Sequence, residues 1–134
     1  MSVKKIGFAL GGPVASGKTF TAKSIAILLN CNTDTGILTK YSNIYTNCSF
    51  AIIDNLKCMK EYNELKNDEF CDWYFIYLSV PQLTRLTRIK KLYPDNWKDY
   101  FNEPDLGKEA IHPSKYDCIA MSIDHVLKFI YGKI

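Results

Sequence analysis

The sequence predicts an α/β protein: three layers, with a mostly parallel sheet of about five strands between helices. Two observations predict it. Short apolar runs alternate with stretches of helical periodicity along the chain. The runs are also apolar on both sides, as strands covered on both faces must be. The 134 residues are read as one domain, 1–134, a size that buries roughly two-thirds of the unfolded surface.

Val3 to Leu10 reads as the first buried strand, closed by Gly11-Gly12. Thr19 to Leu29 reads as a helix, since Ala22, Ile25, Ala26 and Leu29 share one face and Lys23 points away. Asn30 and Asn32 suit its exit. Cys48 to Ile53 is a second apolar run, ended by Asp54. Trp73 to Val80 is a third, and Pro81 fits the first turn of a helix carrying Leu83, Leu86, Ile89 and Leu92. Pro94, Pro104 and Pro113 break the mixed-charge stretch from Tyr93 to Pro113, predicting loop with short helices at most. Cys118 to Met121 is the last short strand. Ser122 then caps a helix with Ile123, Val126, Leu127 and Ile130 on one face.

Composition narrows the function. An apolar fraction of 47% is that of a globular chain. A net charge of +3, without a concentrated basic stripe, argues against nucleic acid as a partner. Cys31, Cys48, Cys58, Cys71 and Cys118 contain no C-x-x-C spacing and share the chain with only His112 and His125, so a structural zinc site is not expected. Scattered cysteines fit free thiols in a reducing compartment. With no apolar run near ~18 residues, the reading is a soluble, cytoplasmic protein without a membrane partner, and an oligomer is left open. Abundant lysine, asparagine, isoleucine and tyrosine match the bias of AT-rich genomes, such as those of some phages.

The chemistry is carried by Gly12-Pro13-Val14-Ala15-Ser16-Gly17-Lys18-Thr19, which matches G-x-x-x-x-G-K-[ST] in full. Glycines let the backbone turn so that successive N–H groups face phosphate oxygens. The following helix offers its N-terminus to an anion. Lys18 supplies a cation to the β- and γ-phosphates, and the Thr19 hydroxyl reaches Mg²⁺. A strand before and an amphipathic helix after separate this from a chance glycine-rich turn. The expected ligands are therefore ATP, or another nucleoside triphosphate, with Mg²⁺, in a P-loop NTPase fold. Phe20, next in sequence, is included in the nucleotide site.

Beyond the loop, Phe8 to Thr39 resembles the opening of cytidylate kinase, a P-loop nucleoside monophosphate kinase. That family continues into Asp-Thr-Gly with a Tyr-Arg pair shortly after. Here Asp34-Thr35-Gly36 is followed by Thr39-Lys40. Phe75 to Arg88 is similar to the family's strand, proline and arginine-bearing helix near the lid, and Asp117 to Ile130 to its last strand and helix. The resemblance implies transfer of the γ-phosphoryl group to a nucleoside monophosphate or similar acceptor. It also implies a reduced lid around 93–115, with Asp34 and Lys40 on the substrate. The family's Gly-Arg-Asp motif is replaced by Asp54-Asn55-Leu56-Lys57, and Tyr41 to Ala51 is too short for its monophosphate-binding insertion. Two alternatives therefore stand beside the kinase: a catalytically reduced P-loop protein that binds nucleotide to regulate a partner or to sequester the nucleotide, and a kinase for a non-nucleotide metabolite.

Several residues read two ways. Asp54 ends a strand, where a carboxylate organises Mg²⁺ or acceptor, or else it caps a helix from Asn55. Asp34 is expected at another strand end on the loop's side, or in a plain turn. Arg85 and Arg88, the only arginines, share a helix face as a phosphate clamp, or form a solvated face opposite Leu83 and Leu86. The catalytic set expected is Lys18, Asp34, Asp54, Arg85 and Arg88. His112 and the aromatic residues between Asp95 and Tyr100 read as an exposed turn and loop packing, or as contacts to a base.

Overall fold

Phe8, Ala9 and Leu10 place apolar side chains on both faces of β1 (Lys5–Gly11), and all three are fully buried. The computed structural model, which describes residues 5–13, 15–29, 37–38, 50–101 and 110–134, sets this strand between two parallel neighbours. These are β3 (Phe50–Ile53) on one side and β4 (Cys71–Leu78) on the other, with Phe8 level with Ile52 and Tyr74. β5 (Cys118–Ala120) joins the far edge of β4. At the other edge Ile37–Leu38 (β2) pairs with Ile52 and Ile53. The order β2-β3-β1-β4-β5 is parallel throughout, so the protein is α/β. From β1 the chain crosses to β2 at one edge, returns as β3 beside β1, and then passes to β4 and β5 on the other side, so the strand order switches beside β1. Ligands of such sheets gather at that point.

Helices cover both faces. α1 (Lys18–Leu28) lays Ala22, Ile25 and Ala26 against Phe8, Leu10 and Ile76. Two alanines on that stripe let helix and sheet approach closely. α2 (Met59–Lys66) covers the opposite face with Tyr62 and Leu65, which pack with Ala9, Ile53, Trp73 and Phe75. α5 (Ile123–Tyr131) returns to the α1 side through Val126 and Ile130. Its N-cap is Ser122, whose Oγ accepts from the His125 N–H at 3.2 Å. Each large apolar side chain so buried contributes about 1.5–3 kcal/mol.

Two helices differ in detail from the sequence reading. The helix after Pro81, α3 (Gln82–Leu92), buries only Ile89, while Leu83 and Leu92 are about three-quarters and two-thirds exposed. The periodicity was real but has no sheet beneath it, because α3 packs mainly against the short helix α4 (Trp97–Phe101). α2 has no counterpart in the sequence reading, since Met59–Lys66 offers just two core residues among charges. Its start is marked by Glu61, whose Oε1 accepts from the Lys57 N–H at 2.8 Å.

Among the described residues no helix is long and apolar enough to cross a membrane. Cys58, Cys71 and Cys118 are free thiols; Cys31 and Cys48 lie outside the described residues. Burial, reinforced by Asp68 and Asp72, pushes the Cys71 thiol up to about 12.

Two outcomes are expected. A Cβ on Gly7 would meet the Trp73 ring at 2.6 Å and Cys71 Sγ at 2.7 Å, so Gly7→Ala should cost about 1–3 kcal/mol of stability in urea unfolding. Cys71 ionises far more readily unfolded than folded, so its contribution is intact below pH 9 and is lost as pH rises toward about 12. The melting temperature should therefore drop above pH 9, less steeply in Cys71→Ala.

Candidate functional site

Past Gly11 the backbone must turn sharply to deliver α1, and three residues take left-handed conformations to do so: Gly12 at φ 145°, Ala15 at φ 60° and Gly17 at φ 89°. Only glycine fits at Gly12. A Cβ there would lie 2.9 Å from both the Leu78 carbonyl oxygen and Ser16 Oγ. Ala15 carries a side chain in a region that costs such residues roughly 1–3 kcal/mol. Arg88 holds it: Nη1 donates to the Ala15 carbonyl at 2.9 Å.

Lys18 opens α1 and folds back over the loop, its Nζ donating to the Gly12 carbonyl at 2.6 Å. Thr19 follows, and its Oγ1 donates to Asp54 Oδ2 at 3.1 Å. Asp54 directly follows β3 and is 3% exposed, and its other oxygen, Oδ1, has no hydrogen-bond partner. The alternative reading of Asp54 as a helix cap is overturned, because α2 starts at Met59 with Cys58 as its N-cap. A buried carboxylate with one unsatisfied oxygen beside a threonine hydroxyl is a chemically suitable setting for a hard cation. Magnesium usually takes one or two carboxylates and completes its shell with phosphates and water. That fits a pair of oxygen groups, and among the described residues no cluster of three or more His, Cys, Asp or Glu occurs.

Beside the loop, on the α1 face, lies an open cavity of ≈ 620 Å³ between the start of α1, α3 and the β5–α5 junction. Ser16, Phe20, Pro81, Arg88 and Met121 are among its walls. Its size is ordinary for a small-molecule site. Phe20 and Met121 are about 70% exposed, so their apolar surface faces outward around this opening.

The structure thus brings Gly12, Pro13, Ala15, Ser16, Gly17, Lys18, Thr19, Phe20, Asp54 and Arg88 to one end of the sheet. Arg85 is placed differently: its guanidinium lies 5.5 Å from the Phe101 ring centre. Leu83 is itself largely exposed, Leu86 and Arg85 are half-buried, and Arg88 is exposed. Val14, Asp34 and Lys40 lie outside the described residues, as do 102–109 of the stretch read as a lid. The pairing of β2 begins at Ile37, after Asp34 in the chain. His112 caps the 3₁₀ turn Pro113–Lys115, its Nδ1 accepting from the Ser114 N–H at 3.1 Å. Tyr93 and Tyr100 stack on each other at 3.8 Å, and Lys90 sits 4.6 Å over Trp97. These aromatics tie α3 to α4.

Tyr116 went unnoticed in the sequence. Its ring occupies the space opened by Gly11, where a Cβ would come within 2.9 Å of Cε1. It also meets Tyr77 edge-on at 5.2 Å. Burial, with a smaller effect from Tyr77, pushes its hydroxyl up to about 12, so it stays a protonated donor. No sequence pattern points to a tyrosine so far along the chain from its glycine.

Two solved structures share this arrangement over nearly the whole chain. One is an uncharacterized protein from Eubacterium ventriosum, 13% identical, with 97% of this chain and 98% of that one covered at a TM-score of 0.64. The other, the protein APE1195, is 16% identical over 97% of this chain and 94% of its own, also at 0.64. At such identities the likeness concerns the fold. No protein-family model and no curated protein matches the sequence.

Gly12→Ala should push the loop off the Leu78 carbonyl. The expected result is a loss of about 1–3 kcal/mol in chemical unfolding.

Proposed function

We propose that the protein is a small kinase of P-loop NTPase fold that binds ATP with Mg²⁺ and transfers the γ-phosphoryl group to a nucleoside monophosphate or similar acceptor. The observation that carries this reading is the loop itself. Its left-handed turns at Gly12, Ala15 and Gly17 run into the N-terminus of α1, with Lys18 folded over it and Thr19 joined to the half-satisfied carboxylate of Asp54. The strand order with the loop at its switch point supports it, as does the open ≈ 620 Å³ cavity next door.

In this reading the loop amides and Lys18 hold the β- and γ-phosphates, and Thr19 with Asp54 holds the metal. Bound Mg²⁺ would neutralise charge on the phosphate oxygens. Arg88, and Arg85 from the same helix, would reach charge that develops during transfer. Asp34 and Lys40 belong to the acceptor side on the strength of the cytidylate kinase resemblance. A non-nucleotide metabolite fits as acceptor under the same chemistry. A second reading, nucleotide binding without transfer, is favoured by one observation: Arg88 is engaged with the Ala15 carbonyl.

The test is incubation of γ-labelled ATP and Mg²⁺ with a panel of nucleoside monophosphates and small hydroxylated metabolites. Labelled nucleotide is expected, reduced ~10²-fold or more in Lys18→Ala and in Asp54→Asn. Tight ATP binding with no acceptor labelled selects the binding protein instead. Label only on a metabolite moves the acceptor class.

A further inference from the structure

Two side-chain polar atoms among the described residues are buried without a hydrogen-bond partner, Asp54 Oδ1 and Ser16 Oγ. The metal site accounts for the first. Nothing in the reading so far uses the second, since a phosphate loop works through its backbone amides, its lysine and its hydroxyl after the lysine.

Ser16 is 5% exposed. Its backbone N–H donates to the Pro13 carbonyl at 3.2 Å, so the main chain is fixed, while the hydroxyl stands 2.9 Å from the place a Gly12 Cβ would take. Ser16 also lines the ≈ 620 Å³ cavity, together with its neighbour Gly17. A hydroxyl in that position carries the full desolvation penalty of an unmade bond, and alanine would fill the same space without it. The hydroxyl therefore acts against the stability of the free protein. A group of this kind is compensated when a ligand supplies the missing partner, and the partner a hydroxyl in a phosphate-binding loop suits is an anionic oxygen.

We propose that the Ser16 hydroxyl donates a hydrogen bond to an oxygen of the bound nucleotide's phosphate chain, making Ser16 a side-chain ligand of the phosphates in addition to Lys18 and Thr19. This rests on the nucleotide-binding reading above. It has a consequence a structural serine does not share: removing the hydroxyl helps the empty protein and harms the loaded one.

The experiment measures thermal melting of the ligand-free protein, and calorimetric affinity for Mg·ATP and Mg·tripolyphosphate, in wild type, Ser16→Ala and Ser16→Cys. Ser16→Ala is expected to melt at or above wild type when empty, yet to bind both ligands about tenfold or more weakly. Ser16→Cys, a similar shape with a weak donor, should fall between. A lower melting temperature for the empty Ser16→Ala protein would overturn the proposal, because the hydroxyl would then be structural. Unchanged affinities would overturn it as well, and so would a loss confined to ATP, which would place the contact on the nucleoside. Wild-type protein that binds neither ligand removes the nucleotide reading together with this one; wild-type binding matched by Ser16→Ala removes this one alone.

Discussion

The architecture turns on one close approach: the Gly12 backbone pressed against the carbonyl of Leu78, where a Cβ would lie 2.9 Å away. β1 is held on both sides by parallel ladders, so its carboxyl end has no freedom to move aside. The chain must leave it in a conformation that only glycine supports. That exit sets where the loop curls, where α1 begins and how Lys18 and Thr19 are aimed. The same ladders place Asp54 at the end of β3 next to Thr19, and the Leu56 N–H donates to the Leu10 carbonyl at 2.8 Å, stitching the β3 exit to β1. Strand pairing, loop and carboxylate are thus one construction.

Around that construction the protein leaves polarity unpaired where it elsewhere avoids doing so. Asp117 accepts from the Phe75 N–H at 2.7 Å, and Asp68 accepts from both the Phe70 N–H and the Trp73 indole. Away from the loop, donors of buried residues such as the Phe75 N–H and the Trp73 indole are thus matched, here by exposed or half-buried carboxylates. The two exceptions among the described residues, Ser16 Oγ and Asp54 Oδ1, belong to the loop and to the carboxylate beside it. One is a hydroxyl donor and the other a carboxylate acceptor. At roughly 1–3 kcal/mol each, they are a substantial fraction of a small domain's net stability. Their shared location is what distinguishes a site from a packing flaw.

How far this could be read in advance depends on whether the signal was local. The glycines of the loop, the apolar stripe of α1 and the Ser122 cap are local, and the structure has each in place. Strand boundaries moved by a residue or two, as ends do when hydrogen bonding rather than composition decides them. What failed was non-local. Periodic leucines on α3 looked like a core face, but whether a stripe is buried depends on which element lies beneath it. α2 went unseen because Tyr62 and Leu65 suffice to dock eight otherwise polar residues. Tyr116 on Gly11 and Arg88 on Ala15 join residues far apart in sequence, and no spacing rule reaches that distance. Asp34 and Lys40, taken from the family resemblance, concern residues that the described structure does not include.

The Arg88–Ala15 bond bears on whether the loop is built for exchange or for rest. Ala15 is a non-glycine residue in a left-handed conformation, and its carbonyl is turned out to meet an exposed guanidinium. A bond of that sort, between an exposed charge and a neutral carbonyl, contributes modestly, on the order of 1 kcal/mol. A guanidinium meeting a phosphate gains more, through two parallel charge-assisted bonds. The two partners compete for one side chain, and a bound polyphosphate would win. The contact seen with the loop is then the resting position of a side chain with a stronger alternative within reach. In the proposed nucleotide-binding reading, Arg88 would brace the strained loop while it is empty and leave it when phosphates held by the loop amides and Lys18 took over that bracing.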